Sequence, residues 1–411
     1  MHSRRVFLRN GAFAFVSLGF APAFLSRTAL ASTGRSKQLI AIFQRGAVDG
    51  LSMVVPFGEA DYYRARPSIA IPRPNGENTA LDLDGFFGFN PRLQALKPLW
   101  DRRQLAIVNA CGSPDSTRSH FDAQDYMETA TPGVKSTAEG WLNRYLQARK
   151  TEETTPFRAV ALTSQLPRML QGTAPALAMS QIAQFGIRGG QGGDAGASFE
   201  REYAAAADHL LTGTGREAFN AIKMLKSTDP AKYQPANGAD YPRSPFGQAL
   251  RQIAQLTKSN VGLEVAFADV GGWDTHVNQG SAQGQLANKL EDFSRALAAL
   301  AMDLGDRLED TVIVTMSEFG RAVNENGNRG TDHGHGNAMM VIGGNVRGGH
   351  VYGKWPGLAV EKRYEGRDLA VTTDFRDVFA EIVARHLGVA NPSAIFPGYN
   401  IQPSRYPGLF S

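Results

Sequence analysis

Cysteine is almost absent from this chain of 411 residues: there is one, Cys111. A lone thiol excludes any internal disulfide. Its apolar setting, "AIVNACG", marks it as a buried thiol at the end of a strand. No block of consecutive like charges occurs, and no Pro/Ser linker, internal repeat or low-complexity tract marks a domain boundary. No apolar stretch reaches the roughly 20 residues a bilayer span requires. Histidine is scarce too, at eight residues. Where those few histidines fall therefore carries information.

The excess of positive charge lies at the N-terminus. "SRRVFLRN" sets Arg4 and Arg5 before Phe7 and Leu8, the twin-arginine export pattern. The apolar run "GAFAFVSLGFAPAFL" and a small-x-small site at Ala29–Ala31 follow. Residues 1–31 therefore read as a removed signal peptide and not an anchor. They hold four arginines and no acid, so residues 32–411 carry 39 basic and 39 acidic side chains. A neutral mature chain gives no electrostatic case for nucleic acid as a partner. The expected location is the periplasm or the cell exterior, reached through the twin-arginine translocase, with no stable membrane span afterwards. That route moves folded proteins, so it is compatible with a metal loaded in the cytoplasm.

Six short runs rich in Ile, Val, Leu and Ala look like buried strands: 38–44, 104–110, 157–163, 263–270, 311–316 and 338–344. Near-continuous apolar strands belong to a parallel sheet covered on both faces. Between the fourth and fifth, Leu286, Leu290, Phe293, Leu297, Leu300, Leu304 and Leu308 recur at steps of three and four, one face of an amphipathic helix. Strand, helix, strand is the unit of a doubly wound α/β sheet with helices on both faces. A last helix, "DFRDVFAEIVARHLG", is capped by Thr373 or Asp374 and ends at Gly388. The mature chain reads as one domain over 32–411. Residues 165–250, with a glycine-rich tract and two helical stretches, read as an insertion packed over one edge of the sheet.

Polar residues follow the strands. Asp49 comes after the first, and Arg118, Ser119 and His120 after the second. Asp274 and His276 come after the fourth, and Glu318, Arg321, Asp332, His333 and His335 after the fifth. In an open parallel sheet, ligands bind beyond the carboxyl ends of the strands. Each element alone has a plainer reading. Asp49 before Gly50 makes an ordinary turn, "WDTH" makes an Asx-turn, and Glu318 pairs with Arg321. His209, His350 and His386 read as structural or loop residues. "TDHGHG" is the hardest to dismiss, because its two imidazoles and one carboxylate are satisfied together by a divalent cation. Carboxylate and imidazole without a usable thiolate suit Zn²⁺, Mn²⁺ or Fe, whereas an oxygen-only subset suits Mg²⁺ or Ca²⁺. The metal candidates are Asp49, Asp274, His276, Glu318, Asp332, His333 and His335; no organic cofactor is expected. Ser119, with Asp122 three residues on, is either a helix cap only or a hydroxyl set at a helix N-terminus where an anion binds. Its neighbours Arg118 and His120, together with Arg321, complete the candidate catalytic set.

Taken together, "FQRGAVDGL", "TRSHFDAQDYMET", "GGWDTH", "SEFGR", "GTDHGHG" and "VRGGHVYG" resemble the twin-arginine-exported bacterial family known as domain of unknown function 1501. That family is itself similar to the alkaline phosphatase and sulfatase superfamily. The resemblance implies a doubly wound α/β fold, metal ligands on strand-end loops and a nucleophile at a helix start. It would place Asp49 on one metal, Asp274 and His276 on another, and His335 as a remaining ligand. The strand "TVIVTM" leads to Glu318 and Phe319, where the superfamily has an aspartate–histidine pair, so Asp332 and His333 would substitute from the loop. With no cysteine at the nucleophile position, formylglycine chemistry is not expected. The implied function is hydrolysis of phosphate or sulfate esters with one or two metal ions, Zn²⁺ or Mn²⁺ by ligand type, acting on a small anionic ester or surface glycan. The alternative is a non-catalytic exported protein that keeps the fold to bind a surface glycan or protein.

Overall fold

A computed structural model describes residues 36–149, 155–182 and 232–411. The signal peptide, His209 and both helical stretches expected within the insertion lie outside the described residues. No helix among those described is long and apolar enough to cross a membrane.

Nine strands form the main sheet: β1 (Gln38–Arg45), β2 (Leu105–Gly112), β3 (Ala159–Ala161), β4 (Leu177–Ala178), β5 (Val265–Gly271), β6 (Thr311–Met316), β7 (Asn337–Gly343), β8 (Val351–Tyr352) and β9 (Thr373–Asp374). Their order is β8-β2-β7-β6-β1-β5-β3-β4, with β9 also paired to β2. All six strands expected from the sequence are present, and all but β7 share one direction. β7 runs antiparallel to both β2 and β6. The cause lies in its connection. A parallel neighbour needs a crossover of a dozen or more residues, usually helical, whereas residues 317–336 contain no helix. The chain leaves β6 and enters β7 at the same end of the sheet.

Alternate residues of β1 point into two different cores. Ile40 and Ile42 pack with α3 (Pro245–Lys258) and α4 (Gln285–Leu304) on one face. Leu39, Ala41 and Phe43 pack with α2 (Trp141–Ala148) and α5 (Phe375–Glu381) on the other. The apolar stripe of α4, from Leu286 to Leu304, lies wholly in the first core and continues to Leu308. α4 joins β5 to β6 across the intervening β1. α5 is capped by the Asp374 carboxylate, which accepts the Arg376 N–H. The described flanks of the 165–250 segment belong to the main body: β4 pairs with β3 at the sheet edge, and α3 packs on the first core.

Cys111 is buried in β2, and burial pushes its thiol pKa well up. Thiol-specific labelling of native protein is therefore expected to proceed only through unfolding. In denaturant the same thiol should react completely within the dead time of mixing, and a fast reaction with folded protein would contradict its placement. His386 is also structural. Burial lowers its pKa to about 4, and its Nε2 lies 3.0 Å from the Gln38 carbonyl oxygen, so the neutral ring donates there.

Candidate metal centre

Four connections leave the carboxyl rim: β1 to Asp49, β2 to α1 (His120–Thr129), β5 to residue 279, and β6 to β7. The β6–β7 connection folds on itself. Ala322 N–H donates to Asp332 O at 2.9 Å, Gly334 N–H to Gly320 O at 2.7 Å, and Gly320 N–H to His335 O at 2.8 Å. Its glycines are there because backbones touch. A Cβ at Gly320 would lie 1.8 Å from Gly336 O, and one at Gly334 would lie 2.3 Å from the Arg321 carbonyl carbon. Gly334→Ala is therefore expected to cost about 1–3 kcal/mol through overpacking, read as a fall in the urea midpoint. An unchanged midpoint would contradict the tight hairpin.

The rim brings donor atoms of His120, His333 and Asp274 within 4.8 Å of one another, with His276 against two of them. His333 Nε2 lies 3.0 Å from His120 Nε2 and 3.0 Å from His276 Nε2. Asp274 Oδ1 lies 2.9 Å from His276 Nε2, 3.3 Å from His333 Nε2 and 3.6 Å from His120 Nε2. Ligands of a tetrahedral ion with bonds of about 2.0–2.1 Å stand at about this separation from one another.

The far nitrogens fix the tautomers. His333 Nδ1 is 2.9 Å from the Arg118 carbonyl oxygen, which can only accept, so Nδ1 carries the hydrogen. His120 Nδ1 is 2.8 Å from Glu318 Oε1, and His276 Nδ1 is 3.3 Å from Asp332 Oδ1. Both carboxylates stay ionised. Burial pushes Glu318 up, but its hydrogen bonds, His120's foremost, hold it below the usual range; the Asn326 amide leads in lowering Asp332. In its neutral form each ring therefore turns a bare Nε2 lone pair inward. Asp274 is anionic as well, since the Arg321 guanidinium outweighs the burial that would raise its pKa. Neighbouring lone-pair atoms in the cluster lie 2.9–3.6 Å apart and repel one another unless a cation lies among them. A proton on His120, whose pKa is raised chiefly by the Glu318 hydrogen bond, relieves one contact. A divalent ion relieves all. Carboxylate or carbonyl acceptors behind the histidines are the usual outer support of a metal site.

The sequence-derived candidates divide accordingly. Asp274, His276 and His333 meet at the centre, and His120, expected in the catalytic set, joins them as a candidate ligand. Asp332 stands behind His276. Glu318 is fully buried and pairs with His120, not with Arg321; Gln124 and the Gly46 N–H also donate to its Oε1, at 2.9 and 2.8 Å. Its place is behind His120 and outside the cluster. Asp49 does not reach the centre, because both its oxygens are bound by Arg66. His335 is buried and stacked on Tyr364, with ring centroids 4.1 Å apart, and lies outside the cluster.

Among the catalytic candidates, the Ser119 hydroxyl caps α1, accepting the Asp122 N–H at 3.5 Å. Arg118 is held by Glu365 and Asp368. Arg321 is buried and committed to the carbonyls of Gly46, Ala47, Trp273 and Thr331 and to Asp274. It is a hub tying three loops together and is not free for a substrate anion.

Sequence reasoning missed the buried Arg66, and Gln279, which bridges Asp49 to Thr275 and Thr331. Nothing in their local pattern distinguishes them. His120 did leave a signal: His120 and Gln124 are four apart on one face of α1, and both reach Glu318. Phe319 packs against His120 and His333, with centroids 4.9 and 5.1 Å away.

A doubly covered α/β sheet with a histidine–aspartate centre at its carboxyl rim defines the class of protein. The chain belongs to the family described as protein of unknown function (DUF1501), whose match spans residues 100–394. No curated protein matches it. Among solved structures it is similar to a protein in the alkaline phosphatase superfamily from Vibrio parahaemolyticus, at 10% identity and a TM-score of 0.29, covering 79% of this chain and 65% of that one. The α/β architecture stands on this chain's own strands.

Proposed function

We propose that the chain is an exported, metal-dependent hydrolase of phosphate or sulfate esters. The observation that carries this reading is the meeting of His120, His333 and Asp274 donor atoms within 4.8 Å, with His276 Nε2 3.0 Å from His333 Nε2. His120, His276, His333 and Asp274 would hold the ion, and three imidazoles with one carboxylate suit Zn²⁺ or Mn²⁺. A divalent cation there supplies a Lewis acid for an anionic ester oxygen. The chain's own residues hold and orient. Glu318 and Gln124 fix His120, the Arg118 carbonyl fixes His333, and Asp332 fixes His276. The Asp274 side chain is 43% exposed, so the centre opens to solvent and to an ester. With Arg321 committed, the guanidiniums left near the rim are Arg118 and Arg367. They share the buried Asp368, and Arg367 also donates to the His333 carbonyl. Twin-arginine export to the periplasm or beyond belongs to the same proposal.

Natively exported protein, assayed on aryl phosphates, phosphodiesters and aryl sulfates with Zn²⁺, Mn²⁺ or Mg²⁺, tests this. Turnover of one ester class is expected, lost with a chelator and in His276→Ala. If no ester turns over, belief passes to the second reading, a non-catalytic exported binding protein. The commitment of the Ser119 hydroxyl to its helix cap favours that second reading.

Protonation gives an independent test. Because the pKa of His120 is raised above 6.5, its proton stabilises the metal-free fold below that ordinary value. The contribution is lost as pH rises through the raised one. A bound ion must displace this proton. Zn²⁺ affinity is expected to climb about tenfold per pH unit below the His120 pKa and level off above it, as read by calorimetric titration. A flat profile would count against His120 as a ligand.

A further inference from the structure

We infer that the centre holds a single cation, and that the buried Arg66 guanidinium takes the place of a second one beside Asp49. The inference rests on the metal reading above and narrows it to one ion per chain.

Both oxygens of Asp49 are already bound. Its Oδ1 accepts Arg66 Nη2 at 3.0 Å; its Oδ2 accepts Arg66 Nη1 at 2.6 Å and Gln279 Nε2 at 2.7 Å. Arg66 is equally committed. Nε donates to Val323 O at 2.9 Å, Nη1 also to Ser52 Oγ at 3.0 Å, and Nη2 also to Ala322 O at 2.9 Å. These contacts use all five N–H groups of the fork. Both side chains are fully buried, and a guanidinium keeps its charge in proteins. An ion entering beside Asp49 would displace Arg66 and leave that charge buried without a counterion.

The amide of Gln279 cannot turn to relieve this. Its Oε1 accepts the hydroxyls of Thr275 and Thr331, each at 2.8 Å, which fixes its Nε2 toward Asp49. A second carboxylate expected on a metal is also spent: Glu318 Oε1 accepts from Gly46 N, His120 and Gln124, and Oε2 from Ser317 Oγ. A third, Asp332, is held through Oδ1 by Asn326 and His276. His335 is stacked away on Tyr364. Among the described residues, the donors for one ion converge, and the expected donors for a second are bound elsewhere. Part of the positive charge at this rim is therefore covalent, present before any metal arrives and beyond the reach of a chelator. The same network grips Thr275 and Thr331, one residue before His276 and Asp332.

The test is stoichiometry on the full folded chain, loaded with excess Mn²⁺ or Zn²⁺, desalted, and read by native mass spectrometry and metal analysis. One ion per chain is expected in the wild type and in Asp49→Asn, and none in His333→Ala. Two ions per wild-type chain overturn the inference while leaving the metal reading standing. No ion in folded wild-type protein overturns the metal reading and, with it, this one. If Asp49→Asn fails to fold, the electron paramagnetic resonance spectrum of the Mn²⁺-loaded wild type decides. An isolated six-line signal integrating to one Mn²⁺ per chain supports a single ion, and an exchange-coupled spectrum overturns it.

Discussion

His333→Ala is expected to abolish divalent-metal retention while leaving the fold intact. Its Nε2 is the imidazole nitrogen in contact with both of the others, 3.0 Å from His120 and 3.0 Å from His276. Removing it separates the other donors and frees the Arg118 carbonyl to bind water. Loss of an outer-sphere partner such as Glu318 typically lowers metal affinity about 10–100-fold, so loss of the shared ligand should exceed that. Competition against a chelator of known affinity, followed by metal analysis, reads the effect. The paired measurement is the urea midpoint in excess chelator, where His333→Ala and wild type should agree, since the metal-free cluster is repulsive and adds little. Wild-type retention of metal by His333→Ala would refute the centre.

Arg66→Met is expected to be the most destabilising single change near the rim. It leaves the Asp49 carboxylate buried and unpaired, and breaking such a pair from one side costs about 3–5 kcal/mol. The double variant Asp49→Leu/Arg66→Met should be less damaged than Arg66→Met alone, because no isolated charge remains. Some loss persists, since Gln279 and the Ala322 and Val323 carbonyls lose partners. Urea denaturation of the two single variants and the double closes the cycle. Acid should act through the same pair. Burial pushes the Asp49 pKa up, but the Arg66 charge outweighs it, so the folded value lies below 3.8. The pair's contribution is therefore intact above that ordinary value and disappears as pH falls through the folded one. Arg66→Met should lose this steep acid limb.

The sheet was readable because its strands are buried on both faces, and β1, β2, β6 and β7 each carry an unbroken apolar run of three residues or more. The direction of β7 was not readable. Apolar runs look alike whichever way they point, and what reversed this one was the absence of a helix in residues 317–336. His276 and His333 could be placed at a rim because they follow strands. The partition between ligand, support and clamp could not, because it depends on which buried charge meets which. Asp49 and Asp274 look equivalent in sequence, each an acid a few residues past a strand. A guanidinium from residue 66 binds both oxygens of the first, while Arg321 grips one oxygen of the second, which stays partly open to solvent.

The reversed strand has a consequence for how this family can diversify. A segment that departs and returns on the same side of a sheet is anchored at both feet, so its middle can be exchanged or lengthened without re-registering any strand. Residues 327–329 form the exposed tip of that segment, beyond Asn326, which holds Asp332. Relatives that differ there are expected to keep the scaffold and change what approaches the opening.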